Sequence, residues 1–155
     1  MTYDKQTKYE NLTKEINAVL KNETNMIARY STVVCLLSRE FDYFYWTGFY
    51  LIDQKKLNEL VIGPYQGTLG CLRIPFGKGV CGLSAELKKT LMISDVHNFT
   101  NHISCDVNSK SEIVVPVFDK NRNLIAVLDV DSSKLDAFDE VDKSGLEHIC
   151  SLLVF

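Results

Sequence analysis

Six residues between positions 71 and 131 have the types that thiol chemistry in an acidic site requires: Cys71, Cys81, Cys105, Glu112, Asp129 and Asp131. Cys105 lies in a long polar connection, Ser94 to Pro116, that closes onto an apolar run. Irregular segments of this length are uncommon in compact domains and are often functional. We therefore interpret Cys105, which is followed by Asp106, as a reactive thiol in an acidic pocket.

Three of the cysteines, Cys71, Cys81 and Cys105, are candidates for the reactive thiol. All three are expected in exposed, irregular backbone, where a thiol has the access that redox chemistry needs. Cys81 lies near the start of a short predicted helix, whose dipole lowers a thiol pKa. Cys105 lies among acids, which raise a thiol pKa unless a substrate or His97 or His102 compensates. On this argument Cys81 is the better thiolate, and the ranking stays open.

The three carboxylates flank a predicted hairpin. Glu112 begins one strand and Asp129 and Asp131 end the next, so antiparallel pairing brings them together. Asp129 and Asp131 are two residues apart and share a face. Clustered acids raise one another's pKa unless a cation binds, and a metal ion or a ligand's ammonium group would satisfy them. The alternative is that Asp-x-Asp-Ser simply ends a strand.

Two further motifs are weaker. His97, His102 and Cys105 form H-x4-H-x2-C, but the spacing matches no usual zinc signature and a fourth ligand is not evident, so no metal site is predicted. Residues 77–82, G-K-G-V-C-G, formally match a dinucleotide fingerprint. The helix that follows is short for a crossover, and the downstream segments form a hairpin. No bound cofactor is predicted.

Composition bounds the class of protein. The chain has 155 residues, 46% of them hydrophobic, and a net charge of −3 with scattered Lys and Arg, which argues against a nucleic-acid partner. No apolar run reaches the roughly 18–20 residues of a membrane span, and the polar start indicates no signal peptide. Five cysteines without a C-x-x-C pair predict transient disulfides in a cytoplasmic protein.

Hydrophobic periodicity predicts one α+β domain over residues 1–155, with a mostly antiparallel sheet of five or six strands. N-terminal helices and a C-terminal helix are expected to pack on it. Predicted helices are 5–22, 26–37, 83–89 and 141–153; predicted strands are 43–52, 57–62, 71–76, 91–93, 113–118 and 124–130; 63–67 is expected to be a loop. Cys35 and Cys150 are expected to be buried hydrophobes on their helices. Helix 26–37 is apolar on more than one face, which favours a homodimer.

Trp46, Gly48 and Tyr50 share one face of the first predicted strand. Aromatic residues fill cores by default, and that is the favoured interpretation. The functional alternative makes Trp46 and Tyr50 a wall of a ligand pocket, with Gly48 leaving room between them.

Several blocks of the sequence together resemble one known family. They are W-T-G-F-Y (46–50), G-P-Y-Q-G (63–67), C-L-R-I-P-F-G-K-G-V-C-G (71–82), D-V-H-N-F-T-N-H-I-S-C-D (95–106), S-E-I-V-V-P (111–116) and L-D-V-D-S (128–132). In this order they resemble the free methionine-(R)-sulfoxide reductases, which are stand-alone GAF domains. The resemblance implies a GAF-like fold, with Cys105 as nucleophile, Cys71 as the resolving cysteine and Cys81 as a third cysteine in a less settled supporting role.

The same resemblance implies how a substrate is held and reduced. Trp46 and Tyr50 match the aromatics that hold the methyl end of free methionine-R-sulfoxide, and Glu112, Asp129 and Asp131 match the carboxylates that engage the sulfoxide and the amino group. Protonated Glu112 or Asp131 would donate to the leaving oxygen. The implied disulfide is reset by an external dithiol, thioredoxin.

The alternative function is a GAF-type small-molecule-binding or redox-sensing module without turnover, because one fold hosts many functions. A sensor is expected to be fused to an output domain, for which this chain has no room. That expectation and the set of three cysteines favour the enzyme.

Overall fold

The computed structural model describes residues 2–101, 103 and 105–154. Its helices are α1 (Thr2–Val19), α2 (Met26–Glu40), α3 (Gly79–Leu87) and α4 (Glu140–Ser151), with a 3-10 turn at Val96–Asn98. Its strands are β1 (Trp46–Ile52), β2 (Glu59–Gln66), β3 (Arg73–Pro75), β4 (Leu91–Ile93), β5 (Ser111–Phe118) and β6 (Leu124–Ser132). No helix in the described ranges is long and apolar enough to cross a membrane.

The six strands form one sheet in the order β3-β2-β1-β6-β5-β4, and every neighbouring pair is antiparallel. Side chains alternate between the two faces because a strand repeats every two residues. Phe49, Leu128 and Ile113 lie on one face, which α2 and α4 cover, and α1 packs on those two helices. The other face carries α3, and Trp46 and Tyr50 lie there. The predicted α+β architecture is confirmed.

The helical layer is joined by the buried carboxylate of Asp142. The hydroxyls of Tyr9 and Tyr43 and the ammonium group of Lys5 all donate to it. Asp142 also accepts from the backbone N–H of Asp139, which completes the capping box of α4. These contacts attach α1 to α4 behind the sheet and leave the opposite face for a site.

Several predicted boundaries were wrong. The segment 63–67 was expected to be a loop, but β2 continues through Gly63 and Pro64 to Gln66. The pairing of β1 with β2 shifts register between Gly48 and Tyr50, opposite this segment. A bulge accommodates a proline, which has no N–H for the ladder. β1 also begins at Trp46 instead of Tyr43, and α3 begins at Gly79, four residues before the predicted start.

The prediction that Cys35 is buried was wrong, whereas Cys150 is buried as predicted. Along α2 the buried positions include Val33, Val34 and Leu37, which face the sheet. Cys35 follows Val34 by 100° around the helix and points away from that face. Its apolar neighbours in sequence therefore gave a misleading indication of its surroundings.

Candidate active site

The site is built on rows of residues that run across three adjacent strands. Trp46 on β1 pairs with Asp131 on β6, and Asp131 pairs with Glu112 on β5. One step along, Gly48 pairs with Asp129. This register confirms that Glu112 lies beside the 129–131 end of its hairpin partner, and it places two aromatics and three carboxyls on one face.

An aromatic stack forms one side of the site. The ring of Trp46 stacks on those of Tyr50 and Tyr65, with centroid separations of 5.9 and 5.2 Å. Its indole N–H donates to the carbonyl of Thr68 at 2.9 Å, which fixes the ring. A Cβ at Gly48 would lie 2.4 Å from Tyr65 Cβ and 2.6 Å from the Trp46 ring, so only glycine fits beneath the stack.

A disulfide between Cys71 and Cys105 closes the site, with their Cα atoms 5.6 Å apart. Cys105 is exposed and Cys71 is half-buried. The loop that carries Cys105 is held by Asp106, which accepts hydrogen bonds from the Thr68 hydroxyl at 2.5 Å and the Tyr45 hydroxyl at 3.0 Å. Those two bonds connect the loop to the segments that precede β1 and follow β2.

These elements enclose a cavity of about 50 Å³. Its lining residues come from β1, β3, β5, β6, α3, the Cys105 loop and the segments before β1 and after β2: Tyr45, Trp46, Tyr50, Leu69, Ile74, Gly79, Val80, Cys81, Ile103, Cys105, Asp106, Ser109, Glu112, Asp129 and Asp131. The fold thus brings together the candidate residues from the sequence, with Cys71 joined through its bond to Cys105. Trp46 and Tyr50 are both buried and cavity-lining, so the two interpretations of them coexist.

The three carboxyls have perturbed acidities. Burial, and then repulsion from Asp129 and Asp131, raises the pKa of Glu112 well above its usual range. Burial and the nearby Asp129 likewise raise the pKa of Asp131, against the effect of a hydrogen bond donated by the Ser109 hydroxyl. Burial raises the pKa of Asp129 only to about 6, because hydrogen bonds from Glu112 and Cys81 favour its ionised form. Asp129 is therefore the carboxyl that is ionised near neutral pH, and the raised pKa values of Glu112 and Asp131 favour their protonated forms.

The expectation that Cys81 is an exposed, low-pKa thiolate was wrong. Cys81 is the third residue of α3 and is only 3% exposed. Its Sγ donates to Glu112 Oε1 at 3.8 Å. Burial, followed by repulsion from Asp129 and Glu112, raises its pKa. Desolvation and three carboxyls outweigh one helix terminus, so Cys81 is held as a neutral thiol.

The structure places the H-x4-H-x2-C pattern and the glycine-rich stretch 77–82 in different surroundings. His97 lies exposed on the 3-10 turn and does not line the cavity, and His102 lies outside the described residues. The glycines at 77–82 have a packing explanation. A Cβ at Gly82 would lie 2.3 Å from the Pro75 carbonyl oxygen, and Gly79 has a φ of +60°, a conformation that favours glycine. They let α3 begin tightly against β3.

Sequence reasoning missed Tyr45 and Ser109, which line the cavity and bond to Asp106 and Asp131. Tyr45 stands in the aromatic run 43–50, just before β1 begins, and Ser109 is one of several polar residues in its loop. Nothing in their local pattern distinguishes Tyr45 from the aromatic residues beside it or Ser109 from the polar residues of its loop.

Comparisons with known proteins agree on one family. A model of the GAF domain matches residues 15–154. GAF domain-containing protein A of Dictyostelium discoideum is 48% identical over 96% of this chain and 92% of its own length. The free methionine-R-sulfoxide reductase of Escherichia coli is 39% identical over 94% of this chain and 86% of its own. The structure of that reductase from Neisseria meningitidis in complex with its substrate superposes with a TM-score of 0.88, at 41% identity, over 94% of this chain and 85% of that one.

Proposed function

We propose that this chain reduces free methionine-R-sulfoxide to methionine through the thiol of Cys105. The chain belongs to the GAF domain family and, within it, to the free methionine-(R)-sulfoxide reductases. The observation that carries the proposal is a single arrangement: a cysteine pair at the mouth of a cavity whose inner surface carries three carboxyls and an aromatic stack. Each part has a counterpart in the substrate.

The carboxyls divide the polar ends of the substrate between them. Asp129, ionised near neutral pH, offers a buried negative charge to the substrate's ammonium group. Glu112 stays protonated and donates its proton to the sulfoxide oxygen, with Asp131 opposite it able to supply a second hydrogen bond. A residue inside a peptide has an amide in place of the ammonium group and leaves Asp129 unpaired, so the site favours the free amino acid.

The aromatic stack holds the other end of the substrate. Trp46 and Tyr50 are buried and nearly parallel, and they present an apolar surface beside the cavity. The methyl group and side-chain carbons of the substrate would pack there, which fixes the sulfur toward Cys105. Among Glu112, Asp129 and Asp131, only Asp129 is then ionised, and the substrate's ammonium group neutralises it. The carboxylate of Asp106, next to Cys105, is a second negative charge near the thiolate, and hydrogen bonds from Thr68 and Tyr45 stabilise it.

The reaction balances as follows. The Cys105 thiolate attacks the sulfoxide sulfur, Glu112 protonates the oxygen, and the oxygen passes to Cys105, so methionine leaves and Cys105 becomes a sulfenic acid. The thiol of Cys71 then displaces water from that sulfenic acid and forms the disulfide. An external dithiol attacks this disulfide, reduces it to the two thiols and is itself oxidised to a disulfide.

A protein dithiol such as thioredoxin fits the surroundings of this disulfide. Leu69, Leu72 and Val107 flank the two cysteines in sequence and are 77%, 67% and 79% exposed, an apolar surface that a reductant could cover. Leu72→Ser should raise the KM for thioredoxin and leave the single-turnover rate with methionine-R-sulfoxide unchanged. A disulfide that is made and reduced in each cycle belongs in a reducing compartment, so the proposal includes a cytoplasmic location.

The proposal also includes a homodimer. Val19, Met26 and Ile27 are exposed near the junction of α1 and α2. They lie away from the cavity face of the sheet, so association there leaves the site open. Light scattering after gel filtration would measure the mass, and Ile27→Glu should convert a dimer to the monomer of 17.6 kDa.

The test is NADPH consumption coupled through thioredoxin reductase and thioredoxin. The substrates are free methionine-R-sulfoxide, its S epimer and a peptide-bound R-sulfoxide. Wild type should turn over the free R epimer alone, Cys105→Ser should have no activity, and Cys71→Ser should release one methionine per protein. Cys35→Ser, which alters an exposed cysteine on α2, is the matched control and should equal wild type.

The outcomes separate the parts of the proposal. Turnover with a small dithiol but not with thioredoxin would overturn the reductant and keep the enzyme. Multiple turnover by Cys71→Ser would remove its resolving role. Failure of wild type with all three substrates and either reductant would overturn the enzyme and leave a GAF-type binding or redox-sensing module.

A further inference from the structure

We propose that Cys81, Glu112 and Asp129 form a binding site for one zinc ion. The Sγ atom of Cys81 and one carboxylate oxygen of each acid all lie within 4.8 Å of one another. The three residues come from α3, β5 and β6, which pack around the inner end of the cavity. The site is therefore held by three separate elements of the fold, not by one flexible loop.

An unpartnered atom points to a missing ligand. Oδ1 of Asp129 is buried and has no hydrogen-bond partner within the described part of the chain. Asp129 as a residue is 6% exposed, so water does not readily satisfy this oxygen. A buried polar atom without a partner costs about 1–3 kcal/mol, and a cation among the carboxyls would remove that cost.

The geometry suits tetrahedral coordination. Around zinc, with bonds of about 2.3 Å to sulfur and 2.0–2.2 Å to oxygen, neighbouring ligand atoms lie roughly 3.3–3.7 Å apart. Cys81 Sγ and Glu112 Oε1 are already 3.8 Å apart, and the remaining separations require side-chain shifts of about 1 Å. Three protein ligands leave a fourth position for water.

The donor types select the ion. One thiolate with two carboxylates suits zinc, whereas magnesium and calcium require oxygen ligands alone. The ion replaces protons, because Cys81 and Glu112 bind it only after they lose theirs. Two protons leave and one divalent cation enters, so the charge of the buried trio is unchanged. Because binding of the ion releases these two protons, zinc affinity should rise with pH.

Zinc at this position would inhibit the reductase. Glu112 and Asp129 are the residues proposed to hold the sulfoxide and the ammonium group, and an ion between them occupies both. This consequence rests on the proposed function, whereas binding itself does not. Zinc binding without inhibition of turnover would overturn the proposed roles of Glu112 and Asp129 and keep the metal site.

The experiment uses the full chain with its Cys71–Cys105 disulfide intact, so neither of those sulfurs is available as a thiolate. Two ions serve as probes. Cobalt gives a near-ultraviolet absorption band when a thiolate binds it, and calorimetry measures the binding of zinc. Wild type should bind one ion and release protons. Cys81→Ser should lose the cobalt band, and both Cys81→Ser and Asp129→Asn should weaken zinc binding at least tenfold.

Two cysteine variants serve as controls. Cys35→Ser removes an exposed thiol and Cys150→Ser a buried one outside the cavity, and both should keep the cobalt band and the zinc affinity. Thermal unfolding establishes whether each variant is folded. If Cys81→Ser is not folded, Asp129→Asn tests the site in its place. A cobalt band that survives Cys81→Ser, or zinc affinity unaltered by Asp129→Asn, would overturn the site.

Discussion

Glu112 and Asp131 lie directly opposite each other on β5 and β6, with their side chains on the cavity face of the sheet. Cβ atoms of such cross-strand pairs are about 4.5–5.5 Å apart, and like charges there repel. Both carboxyls also lie in surroundings that disfavour the ionised form. The register of one hairpin thus places two carboxyls with raised pKa values in the cavity that Cys105 also lines, and the pH behaviour of the protein should follow from it.

Glu112→Gln should lower the rate of the chemical step by about 10²–10⁴, the usual contribution of a general acid. The folded-state pKa of Glu112 is raised, so the acid form persists above the pH at which an exposed glutamate ionises. Wild-type activity should fall as pH rises through that raised pKa, and this alkaline limb should disappear in Glu112→Gln. Single-turnover rates against pH in the Cys71→Ser background measure both effects. A variant with the wild-type rate and profile would remove Glu112 as the acid.

Asp129→Asn should stabilise the protein at neutral pH. The pKa of this carboxyl is 3.8 unperturbed and about 6 in the fold. Between about pH 4 and pH 6, therefore, the carboxyl is ionised in the unfolded chain and still protonated in the folded one. The free energy of unfolding therefore falls as pH rises from about 4 to 6 and stays lower above that. We expect the variant to gain on the order of 1–3 kcal/mol at pH 7.5 over wild type, with the gain shrinking toward pH 4.

Urea unfolding at the two pH values measures that difference. Asp136→Asn, at an exposed turn carboxyl, is the matched control and should change stability by less than about 0.5 kcal/mol at either pH. A variant that is less stable than wild type at pH 7.5 would mean that ionised Asp129 contributes to the fold instead of costing it free energy.

The sequence was informative where local pattern decides the outcome. Antiparallel pairing predicted Glu112 beside the 129–131 end, and the period of two put Asp129 and Asp131 on one face, because alternation and pairing are properties of the strands themselves. The burial of Cys81 could not be predicted, since it depends on α3 packing against β5 and β6, and that packing reverses the effect of the helix dipole. The prediction that Cys35 is buried was wrong for a related reason, because the apolar character of α2 does not indicate which side of the helix packs on the sheet.

The aromatic wall shows the same division. The period of two placed Trp46, Gly48 and Tyr50 on one face, but not whether that face met core or cavity. Tyr65, which stacks on Trp46, was expected in a loop, because Gly63 and Pro64 beside it are strand breakers. The bulge that admits them depends on pairing between β1 and β2, which no local window contains.

Gly48→Ala should impair substrate binding, whereas Gly145→Ala should impair stability alone. The first adds a Cβ that would lie 2.4 Å from Tyr65 Cβ and displaces the Trp46 ring. The second adds a Cβ that would lie 2.4 Å from Tyr9 Cδ1, on the helical side of the sheet. Overpacking of this kind costs about 1–3 kcal/mol at either position. The KM for methionine-R-sulfoxide should rise only in Gly48→Ala; equal KM values in the two variants would exclude Trp46 from the substrate wall.

Asp142→Ala should be strongly destabilising without altering the chemistry. The carboxylate is fully buried and accepts hydrogen bonds from Tyr9 at 2.9 Å and from Lys5 at 2.8 Å, in addition to Tyr43. Its removal strands a half-buried ammonium group and two hydroxyls between α1 and α4, at a cost of about 3–5 kcal/mol. Glu15→Ala, which breaks an exposed ion pair with Arg39, should cost less than about 1 kcal/mol. Urea unfolding compares the two variants, and a loss in Asp142→Ala no larger than that in Glu15→Ala would mean that α1 is attached to α4 by apolar packing alone.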